Sequence, residues 1–495
     1  MSSLSRSLRA DTVVGAAAGV WRTHDPTGRP AMTTINATDA LLDALGESAV
    51  DTAAVALDAA SHDTWPVSTV WQKLDRHPHR PDVVVRVSTV REIVEVVDIA
   101  RTSATPLTVR GLGSSVTGQP LPMHGGIVMD LSGLGGEPVL DETDATVTAP
   151  AGVMGGDLET WLGERGYTLN HFPQSLYRST IGGWIATRAT GQFSSRYGGI
   201  ENLVVSYECV LADGSIARLG QRPRAAMGPD LKQLLIGSEG TLGIVTEVTL
   251  KVFRIPEARF IEAFTMPSVA AGVDAMREMS QAGLRPFLVR FYDADEARHA
   301  VPDREGDAPV LFLGAEGVES VARAEFAELS RIAEARGGSS IGSGPVEAWL
   351  GRRFDFSTVE RLLAEKGGYA ETVEVANMWS RLPAMYAEMK EALRPFADEV
   401  LGHFSHVYEQ GSSLYLILLG RADDDETALA RLEAIWSTAM EIVIAHDGEV
   451  SHHHGGGLAR QAWVARSLGT GFPVLEKLKS ALDPDGILNP GKLGM

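Results

Sequence analysis

The sequence predicts an α+β fold with two principal domains, and three observations carry this prediction. Residues 81–132 alternate strand, helix and strand, which is typical of a right-handed parallel crossover. Glycine-rich turns recur over residues 109–245. Beyond about residue 257, helical stretches alternate with apolar strands, which indicates an antiparallel sheet with helices on one face. A chain of 495 residues is also too long for one simple core.

Changes in composition and in predicted secondary structure divide the chain into four expected segments. The first residues are interpreted as a disordered extension rather than a signal peptide, because Asp11 interrupts the positive charge pattern. Met32 is kept as an alternative translation start. The segments are an N-terminal extension with a helical part over 1–63, a domain with the glycine-rich turns over 64–256, a cap domain over 257–448, and a C-terminal segment over 449–495 that completes the active site.

Composition excludes several classes of protein. The formal net charge of −20 argues against nucleic-acid binding, which needs a basic face. The single cysteine, Cys209, excludes an intrachain disulfide and cysteine-based metal clusters, and it fits a reducing cytoplasm. No apolar run approaches the roughly 18–20 residues that span a bilayer. We therefore expect a cytoplasmic protein with no transmembrane segment.

Hydrophobic periodicity and turn residues set the elements of the first half. Thr89 and Glu92 have the spacing of a capping box at a helix start. Asp213-Gly214 has the composition of a tight hairpin turn. The predicted elements are a helix over 39–60, a strand over 81–87, a helix over 88–103, strands over 106–110 and 126–132, and a hairpin over 203–219.

The second half alternates helical and strand patterns in the same way. Its strands are apolar enough to be buried, and its helices carry one apolar face. The predicted elements are helices over 268–283 and 319–338, strands over 287–293, 309–317 and 412–420, and a terminal helix, turn and extended end over 475–495.

Three glycine-rich segments could hold a large ligand: 109–118 ("VRGLGSSVTG"), 173–203 and 236–252. The first lacks the lysine of a P-loop, and its glycines follow the second strand without a helix, unlike a dinucleotide-binding Rossmann turn. Gly111 and Gly113 free the backbone to turn N–H groups inward. The segments favour a dinucleotide held by backbone amides; the alternative is a turn-rich β domain without a ligand.

Together with the terminal "DPDGILNPGKL", these segments resemble the flavoenzyme family typified by vanillyl-alcohol oxidase, over roughly residues 64–495. The segment from 173 to 205 and "SHHHGGG" (451–457) resemble the alkyldihydroxyacetonephosphate synthases of that family. The resemblance implies a two-subdomain FAD-binding fold over 64–256 with an antiparallel-sheet cap. It implies exchange of an acyl chain for a fatty alcohol on dihydroxyacetone phosphate, with flavin N5 as a covalent partner and no net oxidation.

The resemblance also assigns residues to the flavin. Some relatives attach the flavin through a histidine in the first glycine loop, where this chain has Ser114, so we expect non-covalent FAD. The implied FAD contacts are Val109, Arg110, Gly111, Leu112, Gly113, Ser114, Ser115, Gln174, Ser175, Ser179, Thr180, Gly183, Trp184, Thr187, Glu239, Gly240, Gly243, Ile244 and Val245. A small-molecule or lipid-like substrate is implied, and both peripheral membrane contact and a homodimer are allowed.

The implied active-site residues are polar and few. Arg290 matches an active-site arginine, Arg381 an arginine that binds the substrate head group, and Tyr415 an acid–base tyrosine. The alternatives are a surface salt bridge for each arginine and an ordinary core position for the tyrosine.

The histidine run His452, His453 and His454 suits proton transfer, because imidazole titrates near neutral pH. On an extended stretch at most two of the three side chains face one pocket. A surface loop is the alternative interpretation.

Two alternatives to this acid–base interpretation are a metal site and a redox reaction. His403 and His406 have the spacing of helix-face ligands, and His453 could join them at a metal. Relatives that oxidise 2-hydroxy acids bind a metal through two histidines and a glutamate, but this chain lacks the carboxylate in the run and has Gln410 at the second position, so we expect no metal.

Ser206 replaces a histidine of the synthases. It favours the alternative function, an FAD-dependent oxidase or dehydrogenase of an alcohol, hydroxy acid or specialised metabolite.

Overall fold

A computed structural model of the protein describes residues 36–220, 223–302 and 306–495. The predictions for the N-terminal extension and for Met32 lie outside these residues.

The described residues form 18 strands, numbered along the chain. They are β1 (Val50–Asp51), β2 (Val83–Arg86), β3 (Leu107–Arg110), β4 (Ile127–Asp130), β5 (Val139–Asp141), β6 (Thr146–Pro150), β7 (Tyr167–Thr168), β8 (Val204–Val210), β9 (Ile216–Gly220), β10 (Ile244–Lys251), β11 (Phe253–Arg254), β12 (Ala258–Thr265), β13 (Leu288–Tyr292), β14 (Val310–Gly317), β15 (Ser339–Ser340), β16 (Gly368–Met378), β17 (Glu399–Val407) and β18 (Gly411–Arg421).

The same residues form 17 α-helices. They are α1 (Ala37–Leu45), α2 (Ala54–Ala60), α3 (Pro66–Lys73), α4 (Val90–Thr102), α5 (Gly155–Gly163), α6 (Ile181–Thr187), α7 (Ser194–Tyr197), α8 (Ile200–Leu203), α9 (Val269–Gln281), α10 (Ala294–Ala300), α11 (Glu319–Ala335), α12 (Gly344–Arg352), α13 (Ser357–Ala364), α14 (Leu382–Leu393), α15 (Asp425–Ala445), α16 (Gln461–Leu468) and α17 (Phe472–Leu482).

The first sheet contains the predicted parallel strands. Its order is β1-β2-β4-β3, with β2 and β3 both parallel to β4. Helix α4 connects β2 to β3 and begins with the predicted capping box: Glu92 N donates to Thr89 Oγ1 at 3.2 Å, and Thr89 N donates to Glu92 Oε2 at 3.1 Å. The first glycine turn therefore leaves the carboxyl end of β3, beside β4.

The single helix predicted over 39–60 is wrong. Helix α1 ends at Leu45, Gly46 follows with φ +80°, and the short strand β1 pairs antiparallel with β2 before α2 begins. A positive φ is easy for glycine and ends the helix there. The edge pairing with β2 then satisfies the backbone of Val50 and Asp51.

The second sheet is antiparallel, in the order β5-β6-β10-β8-β9. The predicted hairpin is confirmed as β8 and β9, which turn at Asp213 and Gly214, where Gly214 has φ +80°. Cys209 is buried in β8, as expected of a small apolar side chain. Strand β11 pairs with β7 in a separate two-stranded sheet.

The largest sheet has seven strands in the order β15-β12-β14-β13-β17-β18-β16. One face carries Val289, Phe291 and Leu416, which pack with apolar side chains of α9, α11, α14 and α15. The other face carries Leu288 and Tyr292, which pack with α12 and with Phe193 from the first half of the chain. Helices therefore cover one face, as predicted, and the other face is turned partly toward the glycine-rich half.

The prediction of a helical spacing for His403 and His406 is wrong. Both lie on strand β17, and the register with β18 shifts between Ser405 and Val407, where His406 has φ +52°. The β-branched and apolar neighbours of β17 and β18 favour the ladder over a helix. The bulge changes the direction of the His406 side chain relative to a regular strand.

The C-terminal segment returns to the first sheet. Leu488 forms a parallel bridge with Leu107 of β3, and Asn489 Nδ2 donates to the carbonyl oxygens of Glu239 at 2.7 Å and Gln119 at 3.3 Å. Buried Lys492 donates to the carbonyl of Leu121 at 2.5 Å. The predicted extended end is partly wrong, because Lys492–Gly494 form a short 3-10 turn.

Candidate active site

One row of side chains crosses the seven-stranded sheet on the face that is turned toward the glycine-rich half. Glu374 on β16 is paired with Tyr415 on β18, Tyr415 with His403 on β17, and His403 with Tyr292 on β13. Arg290 lies two residues before Tyr292 and shares its face, because side chains alternate along a strand. The ladder thus brings an acid, a phenol, an imidazole and a guanidinium side by side.

Glu374 holds the histidine run. Its carboxylate is fully buried and accepts three successive backbone N–H groups, from His452 at 2.9 Å and from His453 and His454 at 2.6 Å each. This bend replaces the extended run that the sequence analysis assumed. All three rings lie in one cluster, with neighbouring ring centroids 5.0 and 4.6 Å apart, and the expectation that at most two of them face one pocket stays a prediction.

Arg460 supplies the opposite charge. The side chain is fully buried, and its Nη2 lies 3.4 Å from Glu374 Oε2. It also donates to the carbonyls of Val450, Gly455 and Glu374 at 2.6, 2.9 and 2.9 Å. Burial alone would raise the pKa of Glu374, but His454, Arg460 and the backbone donors hold it below its usual value. The loop is therefore anchored to an ionised carboxylate.

Neither anchor was predicted from the sequence. Glu374 lies between two valines of the strand "YAETVEVANM", and a charge that alternates with valines on a buried strand is an available signal. Arg460 offered no such signal, because its acidic partner, Glu374, is 86 residues away in sequence.

The hydroxyl of Tyr415 lies between two imidazoles. His453 Nε2 is 2.9 Å from it and His406 Nε2 is 3.0 Å from it. The His403 ring stacks on the Tyr415 ring with centroids 4.3 Å apart. Burial, with Glu374 nearby, raises the pKa of Tyr415 well above its usual value, and burial lowers the pKa of His453 and His406 well below theirs. A neutral phenol thus faces two neutral imidazoles.

Arg290 and His403 form the other end of the row. Arg290 Nη2 contacts His403 Nε2 at 2.8 Å, and its Nε donates to the Tyr292 hydroxyl at 2.8 Å. His403 Nδ1 contacts Glu296 Oε2 at 2.8 Å. Burial and the Arg290 charge lower the pKa of His403, so the ring is neutral and Glu296 fixes its orientation. The Arg290 side chain is 17% exposed and lies 4.0 Å from the carboxylate of Glu296, so it is largely buried rather than part of a surface ion pair.

The histidine run has two further polar ends. His452 Nε2 lies 2.7 Å from the hydroxyl of Tyr408. His454 Nδ1 is buried without a hydrogen-bond partner among the described residues, and a buried polar atom of this kind needs a ligand or a water. His454 is therefore the member of the run that has an unused hydrogen-bonding atom.

Arg381 lies outside this cluster. Its guanidinium is about half exposed and forms an ion pair with Asp447, and it also contacts the carbonyl of His446 at 3.4 Å. No hydrogen bond joins it to Tyr415 or to the histidine run within the described chain. Its role in binding a substrate head group stays a prediction.

The cluster also contains an arrangement that could attract a metal. One ligand atom from each of Glu374, His453 and His454 lies within 4.8 Å of the others. Glu374 Oε1, however, already accepts the N–H groups of both histidines at 2.6 Å, which occupies its two lone pairs. The carboxylate is therefore already used to hold the histidine loop.

The three glycine-rich segments converge in space. A Cβ atom built on Gly111 would lie 2.6 Å from Thr180 Oγ1, and one on Gly240 would lie 3.8 Å from Val109 Cβ. Glu239 N donates to the carbonyl of Ala186 at 2.8 Å. The turn after β3, the start of α6 and the turn before β10 therefore surround one place.

This place adjoins the histidine run. Thr117 Oγ1 and Gln119 Nε2 donate to the carbonyl of His454 at 3.1 and 2.5 Å. The Glu239 carboxylate accepts the N–H groups of Gly456 at 2.6 Å and Gly457 at 3.0 Å. The first and third glycine turns are thus bonded directly to the loop that carries the imidazoles.

Comparison with known proteins identifies the family. The FAD binding domain model matches residues 81–220, and the model of the C-terminal domain of FAD linked oxidases matches residues 255–493. The FAD-linked oxidoreductase YgcU of Escherichia coli K12, itself uncharacterized, is 31% identical over 432 residues, which are 83% of this chain and 89% of that protein. The chain belongs to the FAD-linked oxidases. It is an FAD-binding enzyme, as the sequence indicated.

Other members of the FAD-linked oxidases have named activities. The alkyldihydroxyacetonephosphate synthase of Trypanosoma brucei brucei is 28% identical over 451 residues, 83% of this chain and 73% of that protein. A probable mitochondrial D-lactate dehydrogenase of Danio rerio is 29% identical over 441 residues, 85% of this chain and 86% of that protein.

Solved structures confirm the predicted fold. An alkyldihydroxyacetonephosphate synthase matches with a TM-score of 0.77 at 22% identity, over 95% of this chain and 86% of that one. Substrate-bound p-cresol methylhydroxylase matches with a TM-score of 0.78 at 17% identity, over 93% and 96%. The α+β FAD-binding fold with its antiparallel-sheet cap is therefore correct.

The residues at the glycine turns fit FAD. The backbone N–H groups of residues 111–116 donate to no acceptor within the described chain, which leaves them available for a pyrophosphate. Several of the other assigned side chains instead support the turns: Trp184 Nε1 donates to Ser179 Oγ at 2.8 Å, Thr180 caps α6 through Gly183 N, and Thr187 Oγ1 donates to the carbonyl of Gly183. These residues would shape the FAD site through the backbone, while Glu239 holds the histidine loop.

Acidification is expected to destabilise the fold. Burial lowers the pKa of His452 and His79 to about 4 and of His171 to about 3, from 6.5 in the unfolded chain. The unfolded state therefore binds more protons between about pH 4 and 6.5, so this stability is present above pH 6.5 and is lost as the pH falls. Burial raises the pKa of Asp63 to about 6 and of Glu371 to about 7, which acts in the opposite direction.

The buried imidazoles outnumber these carboxyls, so Tm should decrease from pH 7.5 to pH 5. Thermal unfolding of the holoenzyme at pH 5, 6 and 7.5 measures this. A Tm that is constant or increases on acidification would contradict the assignment of neutral histidines.

Proposed function

We propose that the protein is a transferase that resembles alkyldihydroxyacetonephosphate synthase. It exchanges the acyl chain of an acylated, phosphorylated ketone for an alkoxy chain. The observation that carries this proposal is the position of the Tyr415 hydroxyl between His453 and His406, in a loop that is bonded to the proposed flavin turns. A fatty alcohol must lose a proton to attack, and a neutral imidazole paired with a buried phenol can accept it.

The residues of the candidate active site would have different roles in this exchange reaction. FAD would be held by the glycine-rich turns and would supply a ring nitrogen able to bond reversibly to the substrate carbon, with no net oxidation. Tyr415 and His453 would move the proton of the alcohol, and Glu374 keeps the His453 backbone fixed. Arg290, held by Tyr292 and His403, would stabilise negative charge on the substrate oxygen. The unpartnered Nδ1 of His454 is free to hydrogen-bond to a bound group.

The departure at Ser206 does not weaken this proposal. Ser206 lies on β8, where its neighbours across the ladder are Thr249 and Gly220. It makes no hydrogen bond to the histidine cluster within the described chain, so its replacement of a histidine leaves the cluster intact.

The second candidate is an FAD-dependent dehydrogenase or oxidase of an alcohol or hydroxy acid. The relationship to a probable D-lactate dehydrogenase and to an FAD-linked oxidoreductase favours it. The same phenol and imidazoles could accept the hydroxyl proton of such a substrate. A fold does not fix the reaction, so an experiment must decide between the two.

Several finer points stay predictions. FAD is predicted to be non-covalent, so acid should release it without a flavin peptide. Binding of the head group by Arg381, a cytoplasmic location, contact with a membrane surface and a homodimer are also predictions. The domain boundaries are predicted at 63/64, 256/257 and 448/449. Head-group binding at Arg381 would have to compete with Asp447 for the guanidinium. No helix in the described parts of the chain is long and apolar enough to cross a membrane.

Anaerobic mixing of the yellow holoenzyme with substrates separates the two functions. With acyl-dihydroxyacetone phosphate and a fatty alcohol, we expect release of the fatty acid, formation of the ether, and a flavin spectrum that ends oxidised. The matched mixture without the alcohol should give no ether. Persistent bleaching by an alcohol or a 2-hydroxy acid, with no ether formed, would establish the second candidate instead.

A further inference from the structure

We propose that His453, His452 and Tyr408 form a proton route that joins the buried hydroxyl of Tyr415 to solvent. This inference rests on the proposed function, because acid–base chemistry at a buried phenol requires exchange of protons with water. It adds Tyr408 to the residues that serve the reaction and gives His452 a defined position, and both act through His453 rather than on the substrate.

The hydrogen bonds along this route are continuous. Tyr415 Oη lies 2.9 Å from His453 Nε2, and His453 Nδ1 lies 2.8 Å from His452 Nδ1. His452 Nε2 lies 2.7 Å from Tyr408 Oη. Tyr415 is 9% exposed, whereas Tyr408 is 40% exposed. The chain therefore begins in the interior and ends on a residue that reaches the surface.

Because the two Nδ1 atoms contact each other, all the hydrogen bonds along the route must point in the same direction, either outward or inward. Only one of these nitrogens can carry the hydrogen, because a neutral imidazole has one N–H and one acceptor nitrogen. When His453 Nδ1–H donates to His452, its Nε2 must accept from the Tyr415 hydroxyl. His452 then carries its hydrogen on Nε2 and donates to Tyr408, whose hydroxyl donates to water. The opposite arrangement reverses every bond.

Each arrangement moves one proton without leaving a charged ring. Outward, the Tyr415 oxygen takes the substrate proton as it passes its own to His453 Nε2. His453 releases the Nδ1 proton to His452, His452 releases the Nε2 proton to Tyr408, and Tyr408 releases its proton to water. One proton has passed from substrate to solvent, and the reversed set of bonds returns one. Neutral rings suit this site because burial lowers the pKa of both histidines.

The other branch from Tyr415 does not reach solvent. His406 Nδ1 lies 2.7 Å from Ser194 Oγ, and Ser194 is 4% exposed. The Ser194 hydroxyl has no other hydrogen-bond partner in the described residues. Glu374 Oε1 is 3.4 Å from His453 Nδ1, farther than His452 at 2.8 Å, so the carboxylate orients the ring and does not replace the route.

The test is Tyr408→Phe in the FAD-loaded, full-length protein. The change keeps the ring that lies 5.5 Å from His452 and removes only the hydroxyl. We expect turnover to fall about 100-fold, the lower limit of the usual effects on proton transfer, to recover with increasing concentration of a small buffer, and to show a larger solvent deuterium isotope effect. Tyr207→Phe is the matched control, because Tyr207 donates to the carbonyl of Lys232 and is not bonded to the cluster. It should retain the buffer independence of the wild type.

A second measurement needs no substrate. In holoenzyme with ¹⁵N-labelled histidine, the ring N–H protons of His453 should exchange with water about tenfold more slowly after Tyr408→Phe. Unchanged exchange and unchanged buffer dependence would overturn the proton route. If exchange slows in the variant but the wild type turns over no candidate substrate, the route stands and the proposed function fails.

Discussion

Glu374→Gln is expected to cause the largest combined loss of stability and activity. Glutamine keeps the size of the side chain but removes the charge that neutralises the fully buried Arg460. Its amide NH2 must also face some of the three backbone N–H groups that the carboxylate now accepts. Removing one partner of a buried ion pair costs about 3–5 kcal/mol. Chemical denaturation of the holoenzyme measures this loss.

Activity should fall with stability in the same variant. A histidine loop that moves by about 1 Å can lose about 100-fold in rate, so we expect at least that loss in kcat at temperatures where the variant stays folded. Glu371→Gln is the matched control, because Glu371 is also buried on β16 but accepts from Trp436 and Thr372 and does not contact the histidine loop. It should cost about 1 kcal/mol at most. Equal effects of the two variants would show that the loop does not depend on Glu374.

Tyr415→Phe is expected to reduce kcat/KM by about 10²–10⁴, the usual contribution of a positioned acid or base. The variant keeps the ring that stacks on His403 and loses the hydroxyl between His453 and His406. FAD content should not change, because Tyr415 makes no hydrogen bond to the glycine-rich turns in the described chain. Steady-state kinetics and the flavin absorbance per protein measure the two quantities.

Tyr369→Phe separates chemistry from stability. Tyr369 is buried on β16, packs on the opposite face of the same sheet, and donates to the carbonyl of Phe396. Both tyrosine variants lose a buried hydroxyl and should cost about 1–3 kcal/mol. Only Tyr415→Phe should reduce the rate. Wild-type turnover in Tyr415→Phe would remove the phenol from the mechanism.

Local patterns predicted the regular parts of the fold. The spacing of Thr89 and Glu92 located the start of α4, and Asp213-Gly214 located the β8–β9 turn. These features are properties of a few adjacent residues. The glycine that ends α1 is also a local signal, but strand β1 after it depends on a distant partner, β2, and is not evident from the adjacent residues.

Only some residues of the candidate site could be predicted from the sequence, and its geometry could not. Tyr415 and the histidine run were found through the resemblance, and the structure brings them within hydrogen-bond distance. Glu374, Tyr415 and His403 lie on the same face of the sheet because of the strand register, and this register cannot be determined from the sequence alone. The bulge at His406 likewise depends on how β17 pairs with β18. Position alone therefore could not assign Glu374 as the anchor of the loop.

The return of the C-terminal segment to the first sheet sets a time order for biosynthesis. Leu488 lies beside β3, Asn489 bridges the first and third glycine turns, and Lys492 is buried beneath them. A ribosome makes these residues after the three glycine-rich segments. A nascent chain that has not yet released residue 492 therefore lacks the bridge that Asn489 makes between Gln119 and Glu239, so this part of the proposed flavin site is completed late in synthesis.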